Sequence, residues 1–150
     1  MSKSRVLIAV CAVALSTLAV AHNKEDGAAE YRMGLMSVIG WNFGPLGAMV
    51  KGKQPFDAAE FSKRADRIAH FSDQLLEGFP KGSDNAEHTA SKADIWTNWE
   101  DFQGKARDFE REAKALAAVA KNNDEAKDKE QFKKVAETCK SCHEKYKKKD

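Results

Sequence analysis

The stretch IWTNWEDFQGKARDFEREAKALAAVA, residues 95–120, decides the fold class. Its apolar residues fall at Ile95, Trp99, Phe102, Ala106, Phe109, Ala113, Leu116 and Ala120, in steps of four and three. That is the period of a helix with one apolar stripe, and the heptad rhythm of helices packed at shallow angles. The spacing predicts a helix that starts near Ser91 or Lys92 and is broken by Asn122-Asn123. An isolated stripe of this kind is costly, so the remaining segments must supply partners for it.

They do. Asp57-Ala58-Ala59-Glu60 has the spacing of a capping box and opens a helix with apolar positions Phe61, Ala65, Ile68, Ser72 and Leu75, closed by Gly78 and Pro80. Upstream, a helix is expected from about Glu25 to Val50. Its stripe is Ala29, Arg32, Met36, Ile39, Phe43, Leu46 and Val50, flanked by Tyr31, Leu35 and Val38. The stripe continues in phase beyond Gly44-Pro45, so that pair is read as a kink rather than an end. A last helix starts near Asp124 or Asp128 and carries Phe132, Val135, Ala136, Cys139, His143 and Tyr146. Residues 79–91 form the longest loop. Strand signals are nearly absent. The expected fold is all-α, an antiparallel up-down four-helix bundle.

The first residues read as an export signal. Lys3 and Arg5 precede an almost uncharged apolar run from Val6 to Leu18, and Ala19-Val20-Ala21 supplies a small-x-small cleavage site. A lipoprotein signal at Cys11 is disfavoured by the branched Val10 before it. The apolar run is short for a transmembrane span, so no membrane insertion is expected. Cleavage after Ala21 leaves residues 22–150 as one domain and, with Lys3 and Arg5 gone, lowers the net charge from +2 to 0. A balanced chain has no excess positive field for phosphates, which argues against nucleic acid as a partner.

Cys11 departs with the signal and leaves Cys139 and Cys142. A disulfide between them would close too short a loop to remove much unfolded-state entropy. Cys139-Lys140-Ser141-Cys142-His143 is instead the c-haem attachment signature. Two thiols on one helical turn add to two vinyl groups, and His143 turns its imidazole toward the iron. One covalent haem c is expected. A thioredoxin-like dithiol would sit at the start of a helix in a βαβ unit, and a zinc site would need further ligands. Only His22, His70 and His88 remain, none paired at ligand spacing.

Residues 144–150 contain neither Met nor His, so any sixth iron ligand comes from upstream. Candidates are Met33, Met36, Met49, His70 and His88. His70 falls between the apolar positions of its helix and is read as a surface residue. Met36 lies on the inner stripe, one turn from Arg32. It is read as touching the haem's distal face, with iron ligation and plain core filling as the other readings. Arg32 on an inward face needs an anionic partner, either a haem propionate or an internal carboxylate. Tyr146, one turn after His143, is placed to pack on the proximal side. Lys145, Lys147, Lys148 and Lys149 suit a helix C-terminus, or edge the site with charge for an acidic partner.

The chain resembles the cytochrome c′ family, the class II c-type cytochromes. The resemblance rests on Tyr31-Arg32, Lys51-Gly52-x-x-Pro55-Phe56-Asp57-Ala58, Thr89-x-Ser91 ahead of Ile95-Trp96, and Cys139-x-x-Cys142-His143 with Tyr146-Lys147. It implies a periplasmic four-helix bundle, a homodimer through the first two helices, and a high-spin, five-coordinate haem. It also implies that Arg32 meets a propionate, Met36 occupies the distal position, Thr89 approaches the haem edge and Lys147 stands near the proximal His. Two residues depart from the family pattern: Met33 where Gln is frequent, and Lys147 where Arg is frequent, which loses the planar fork.

Three functions follow for testing. The first is a non-enzymatic haem protein whose apolar distal face admits NO and CO, with electron transfer to an unidentified redox partner. The second is a low-spin electron carrier with Met36 as the sixth ligand. The third is an exported dithiol protein without haem. No constellation of nucleophile, base and orienting group is visible.

Overall fold

The computed structural model describes residues 16–86 and 88–149, with side chains from Asp26 onward. The signal segment and its cleavage position lie largely outside these residues. Among the described residues there are five helices and no strand: α1 (Ser16–Val50), α2 (Ala58–Ser72), α3 (Asp94–Thr97), α4 (Trp99–Ala120) and α5 (Glu125–Tyr146). α1, α2, α4 and α5 are the expected four-helix bundle, and α3 is a single turn.

Local chemistry sets most of the boundaries. Asp57 caps α2 by accepting from the Glu60 N–H at 3.0 Å, and Asp124 caps α5 by accepting from Lys127 N–H at 3.2 Å. Asn123, at φ +53°, takes the left-handed conformation that turns α4 into α5, one that Asn tolerates better than most residues. α1 runs unbroken through Pro45. Proline has no N–H, so it cannot donate to the Trp41 carbonyl four residues back. That carbonyl instead accepts from Arg64 Nη1 of α2 at 3.1 Å, which turns a helix defect into an interhelical tie.

Three expectations need correction. α2 ends at Ser72, and Leu75–Gly78 is a separate 3₁₀ turn rather than its last turn. The expected third helix is interrupted at Asn98, whose side-chain amide and backbone N–H both reach back to the Asp94 carbonyl. This competition by an Asn side chain separates α3 from α4. On α1 the buried line runs through Arg32, Leu35, Ile39, Asn42, Leu46 and Met49, while Met36 lies at its edge, 36% exposed.

The core follows the α4 stripe. Phe102, Ala106, Phe109, Ala113, Leu116 and Ala120 are all buried against Phe61, Ala65 and Ile68 of α2 and Phe132 and Val135 of α5. Each large side chain so enclosed contributes about 1.5–3 kcal/mol. Part of α1, Asp26–Val50, is long and apolar enough by length and composition to cross a membrane. Its inner line is instead packed into this core, while Tyr31, Val38 and Trp41 remain exposed.

Asp128, in the first turns of α5, is fully buried and neither carboxyl oxygen has a hydrogen-bond partner. Burial first, then the charges of Asp124 and Glu125, push its pKa up. A carboxyl whose pKa is raised by folding stabilises the protein while protonated, and that contribution disappears as pH rises through the raised value. Asp128→Asn should therefore unfold a few degrees higher than the parent at about pH 7.5. The gain should fade toward the ordinary Asp range near ~4, as followed by thermal denaturation across pH.

Candidate functional site

The end of the bundle that holds the start of α4 and the finish of α5 is not filled by side chains. A cavity of about 340 Å³ lies there, walled by α1, the 75–79 turn, residues 89–91, α4 and α5. Its surface is mostly hydrocarbon, with Ile39 and Phe43 from α1, Leu75 and Phe79 from the turn, and Phe102 and Phe109 from α4.

α5 presents Cys139, Cys142 and His143 to this cavity on successive faces of its last turns. Both cysteines are free and half-buried. Burial pushes both thiols above their ordinary pKa, and Lys105 only partly opposes this at Cys142. A redox-active dithiol needs the opposite shift, toward thiolate. Burial, reinforced by the Lys147 charge, pushes His143 down, so its imidazole is neutral at pH 7, the form that ligates metals. Among the described residues no three His, Cys, Asp or Glu side chains converge as a metal site.

Arg32 faces them from α1 and is only 4% exposed. Its Nη1 donates to the Gly78 carbonyl at 2.7 Å and to Ser83 Oγ at 3.0 Å. Its Nη2 donates to the Ser83 carbonyl at 3.2 Å and to Thr89 Oγ1 at 3.1 Å. The guanidinium also lies over Phe79 and Trp96, at 5.1 and 5.6 Å from their ring centroids. Among the described residues no carboxylate pairs with it. Its Nε is buried without a hydrogen-bond partner, which costs about 1–3 kcal/mol unless an acceptor is supplied.

The Arg32 contacts continue into a strap that holds the end of α5. Thr89 Oγ1 also accepts from Ser91 N–H at 3.1 Å, and Ser91 forms an antiparallel bridge with Lys147. Lys148 N–H donates to the Ala90 carbonyl and Lys92 N–H to that of Tyr146, at 2.8 and 2.9 Å.

Nine of the residues singled out from sequence line this one cavity: Arg32, Met33, Met36, Thr89, Cys139, Cys142, His143, Tyr146 and Lys147. His70 and His88 are exposed and outside it, and Met49 is buried elsewhere, which leaves Met33 and Met36 as the only upstream candidates at the site. Gly78 and Ser83, which hold Arg32, were not anticipated. Gly78 reads in sequence as a helix stop, and Ser83 sits in a loop whose composition carries no signal.

A family model described as Cytochrome C' matches residues 27–147. The chain belongs to the cytochrome c′ family. A solved cytochrome c prime from Shewanella frigidimarina is 45% identical, with a TM-score of 0.80 covering 83% of this chain and 97% of its own. A cytochrome c′ described as having an unusual ligand-controlled dimer dissociation is 31% identical, with a TM-score of 0.77 and the same coverage of 83% and 97%. A nitric oxide complex of a cytochrome c prime variant from Alcaligenes xylosoxidans is 28% identical, with a TM-score of 0.76, again covering 83% and 97%.

Cytochrome c′ proteins carry one covalently bound haem c per chain, and haem c is the cofactor of this one. The residues present fit it. The cavity is apolar where a porphyrin is apolar, two thiols and a neutral imidazole share one wall, and the buried Arg32 has a donor still unsatisfied for a carboxylate.

Gly78 is the tightest point of the Arg32 cradle in this cytochrome c′. A Cβ there would lie 2.7 Å from Arg32 Cγ and 3.0 Å from Tyr31 Cδ1. Gly78→Ala should cost about 1–3 kcal/mol in urea denaturation by forcing these side chains aside.

Proposed function

We propose that this cytochrome c′ is exported to the periplasm, where it binds neutral diatomic gases and passes single electrons, without enzymatic turnover. In this reading Cys139 and Cys142 form the two thioether bonds to haem and His143 is the protein's axial iron ligand. Arg32 pairs with a propionate. The observation that carries it is the meeting of Cys139, Cys142 and His143 from α5 with Arg32 and Met36 from α1 around one apolar cavity.

Haem supplies a one-electron Fe(III)/Fe(II) couple and a coordination position for a small ligand. The chain's own residues determine what reaches that position. Met33, Met36, Ile39 and Phe43 line the cavity from α1 and carry no N–H or O–H donor in their side chains. Such a surface excludes charged ligands and gives bound O₂ no hydrogen bond, while it leaves NO and CO unpenalised. The nitric oxide complex of the Alcaligenes relative supports this choice of ligand. Thr89 and Lys147 are assigned to the edge of the haem and its proximal side, held together by the strap.

The reading includes a homodimer through α1 and α2. The outer side of α1 exposes Val38 and Trp41, the latter 76% accessible, beside Asp66, Arg67, His70 and Phe71 of α2. An exposed Trp in such a groove is the usual anchor of a protein interface. The relative with ligand-controlled dimer dissociation supports it.

The second reading, a low-spin carrier with Met36 bound to iron, is separated by absorption spectroscopy of the purified protein. The expected result is a high-spin ferric and ferrous spectrum and ready CO uptake by the ferrous form. A low-spin spectrum indifferent to CO, converted to high-spin by Met36→Leu, would assign the sixth ligand to Met36 instead.

A further inference from the structure

Tyr146 lies in the last turn of α5, three residues after His143, so the two side chains move together when that turn rotates. Both line the cavity. Tyr146 is 2% exposed, its ring is edge-on to Phe102 with centroids 5.3 Å apart, and its backbone carbonyl accepts from Lys92 N–H. Its hydroxyl donates to Asp101 Oδ2 of α4 at 2.5 Å, with the Asn98 carbonyl farther off at 3.5 Å. Lys145 Nζ donates to the same Asp101 oxygen at 3.0 Å.

The backbone strap ties the end of α5 to residues 90–92, and the Phe102 ring of α4 packs against Tyr146. The hydroxyl–carboxylate contact adds a directional tie to these, from the buried Tyr146 ring on α5 to Asp101 on α4. We propose that Asp101 is a positioning residue for the proximal imidazole: by accepting from Tyr146 and Lys145 it sets the angle at which α5 delivers His143 to the iron. The inference rests on the reading of His143 as the axial ligand. The Tyr146 hydrogen bond first, and Lys145 second, hold the Asp101 carboxyl below the usual range. Asp101 is therefore ionised at neutral pH and accepts a charge-assisted bond, the shorter and stronger kind. Groups one step removed from a metal govern the orientation of its ligands in the same way. Nothing in the sequence distinguishes Asp101 from the other acids along α4.

The test uses the ferrous holoprotein and reads the iron–histidine stretching band by resonance Raman together with the midpoint potential. Variants are Asp101→Leu, Asp101→Asn, Tyr146→Phe and the double variant Asp101→Leu/Tyr146→Phe, with melting followed separately by circular dichroism. Asp101→Leu and Tyr146→Phe should shift the band and the potential in the same direction. The double variant should shift them no further than the larger single change, since the two act through one contact. Asp101→Asn, which keeps an acceptor, should recover most of the parent band. The proposal is overturned if band and potential stay in place in both Tyr146→Phe and Asp101→Leu while only the melting temperature falls, or if the two shifts add. His143→Ala separates the two layers. If the parent band survives it, the axial-ligand reading is wrong; if the band is lost there but unmoved in the Asp101 variants, only the role of Asp101 is wrong.

Discussion

Arg32 is the point on which the site depends. A guanidinium that is almost wholly buried and bonded, among the described residues, only to neutral acceptors is an expensive thing to fold, and removing its partners would be more expensive still. The chain meets that demand by wrapping the long connection between α2 and α4 around it. The Gly78 carbonyl, Ser83 and Thr89 are the acceptors, Phe79 and Trp96 cover its faces, and Trp96 Nε1 in turn donates to the Pro80 carbonyl. That connection is held by this one charge together with the burial of its own Leu75, Phe79 and Ile95.

That order passes to the opposite wall. Thr89 links Arg32 to Ser91, and residues 90–92 pair with 146–148 at the end of α5, within one turn of His143. The side assigned to the propionates and the side assigned to the axial ligand are therefore joined through backbone hydrogen bonds. The α4–α5 packing, built on Phe102, Ala106, Phe109 and Val135, supplies the rigid frame on which this strap acts. The arrangement explains how the bundle supports an open apolar cavity without collapsing into it. The cavity walls belong to elements fixed elsewhere, by the α4 stripe at the core and by Arg32 at the rim.

The bundle was legible in the sequence because its signals are periodic and local. The α4 stripe, the Asp57 and Asp124 caps and the attachment motif each depend on residues within a few turns of one another. The meeting of Cys139, Cys142 and His143 on one wall of the cavity was legible for the same reason. What could not be read was the cradle around Arg32: its partners are 46 to 57 residues away in the chain and use backbone carbonyls and a loop serine, which carry no pattern. The break at Asn98 was missed because a stripe reports which side chains face inward, not whether the backbone between them stays helical. The inner line of α1 was misplaced for a related reason. Arg32 and Met36 look like neighbours on one face, yet Leu35 takes the buried place and Met36 stands at the cavity's edge.

The central claim is that the end of α5 holds haem through two thioether bonds. Intact-mass measurement of the exported protein, before and after acid–acetone extraction and thiol alkylation, tests it most directly. The account predicts that the mass of one haem stays with each chain and that neither Cys139 nor Cys142 is alkylated. An apoprotein mass after extraction, with both thiols modified, would contradict it.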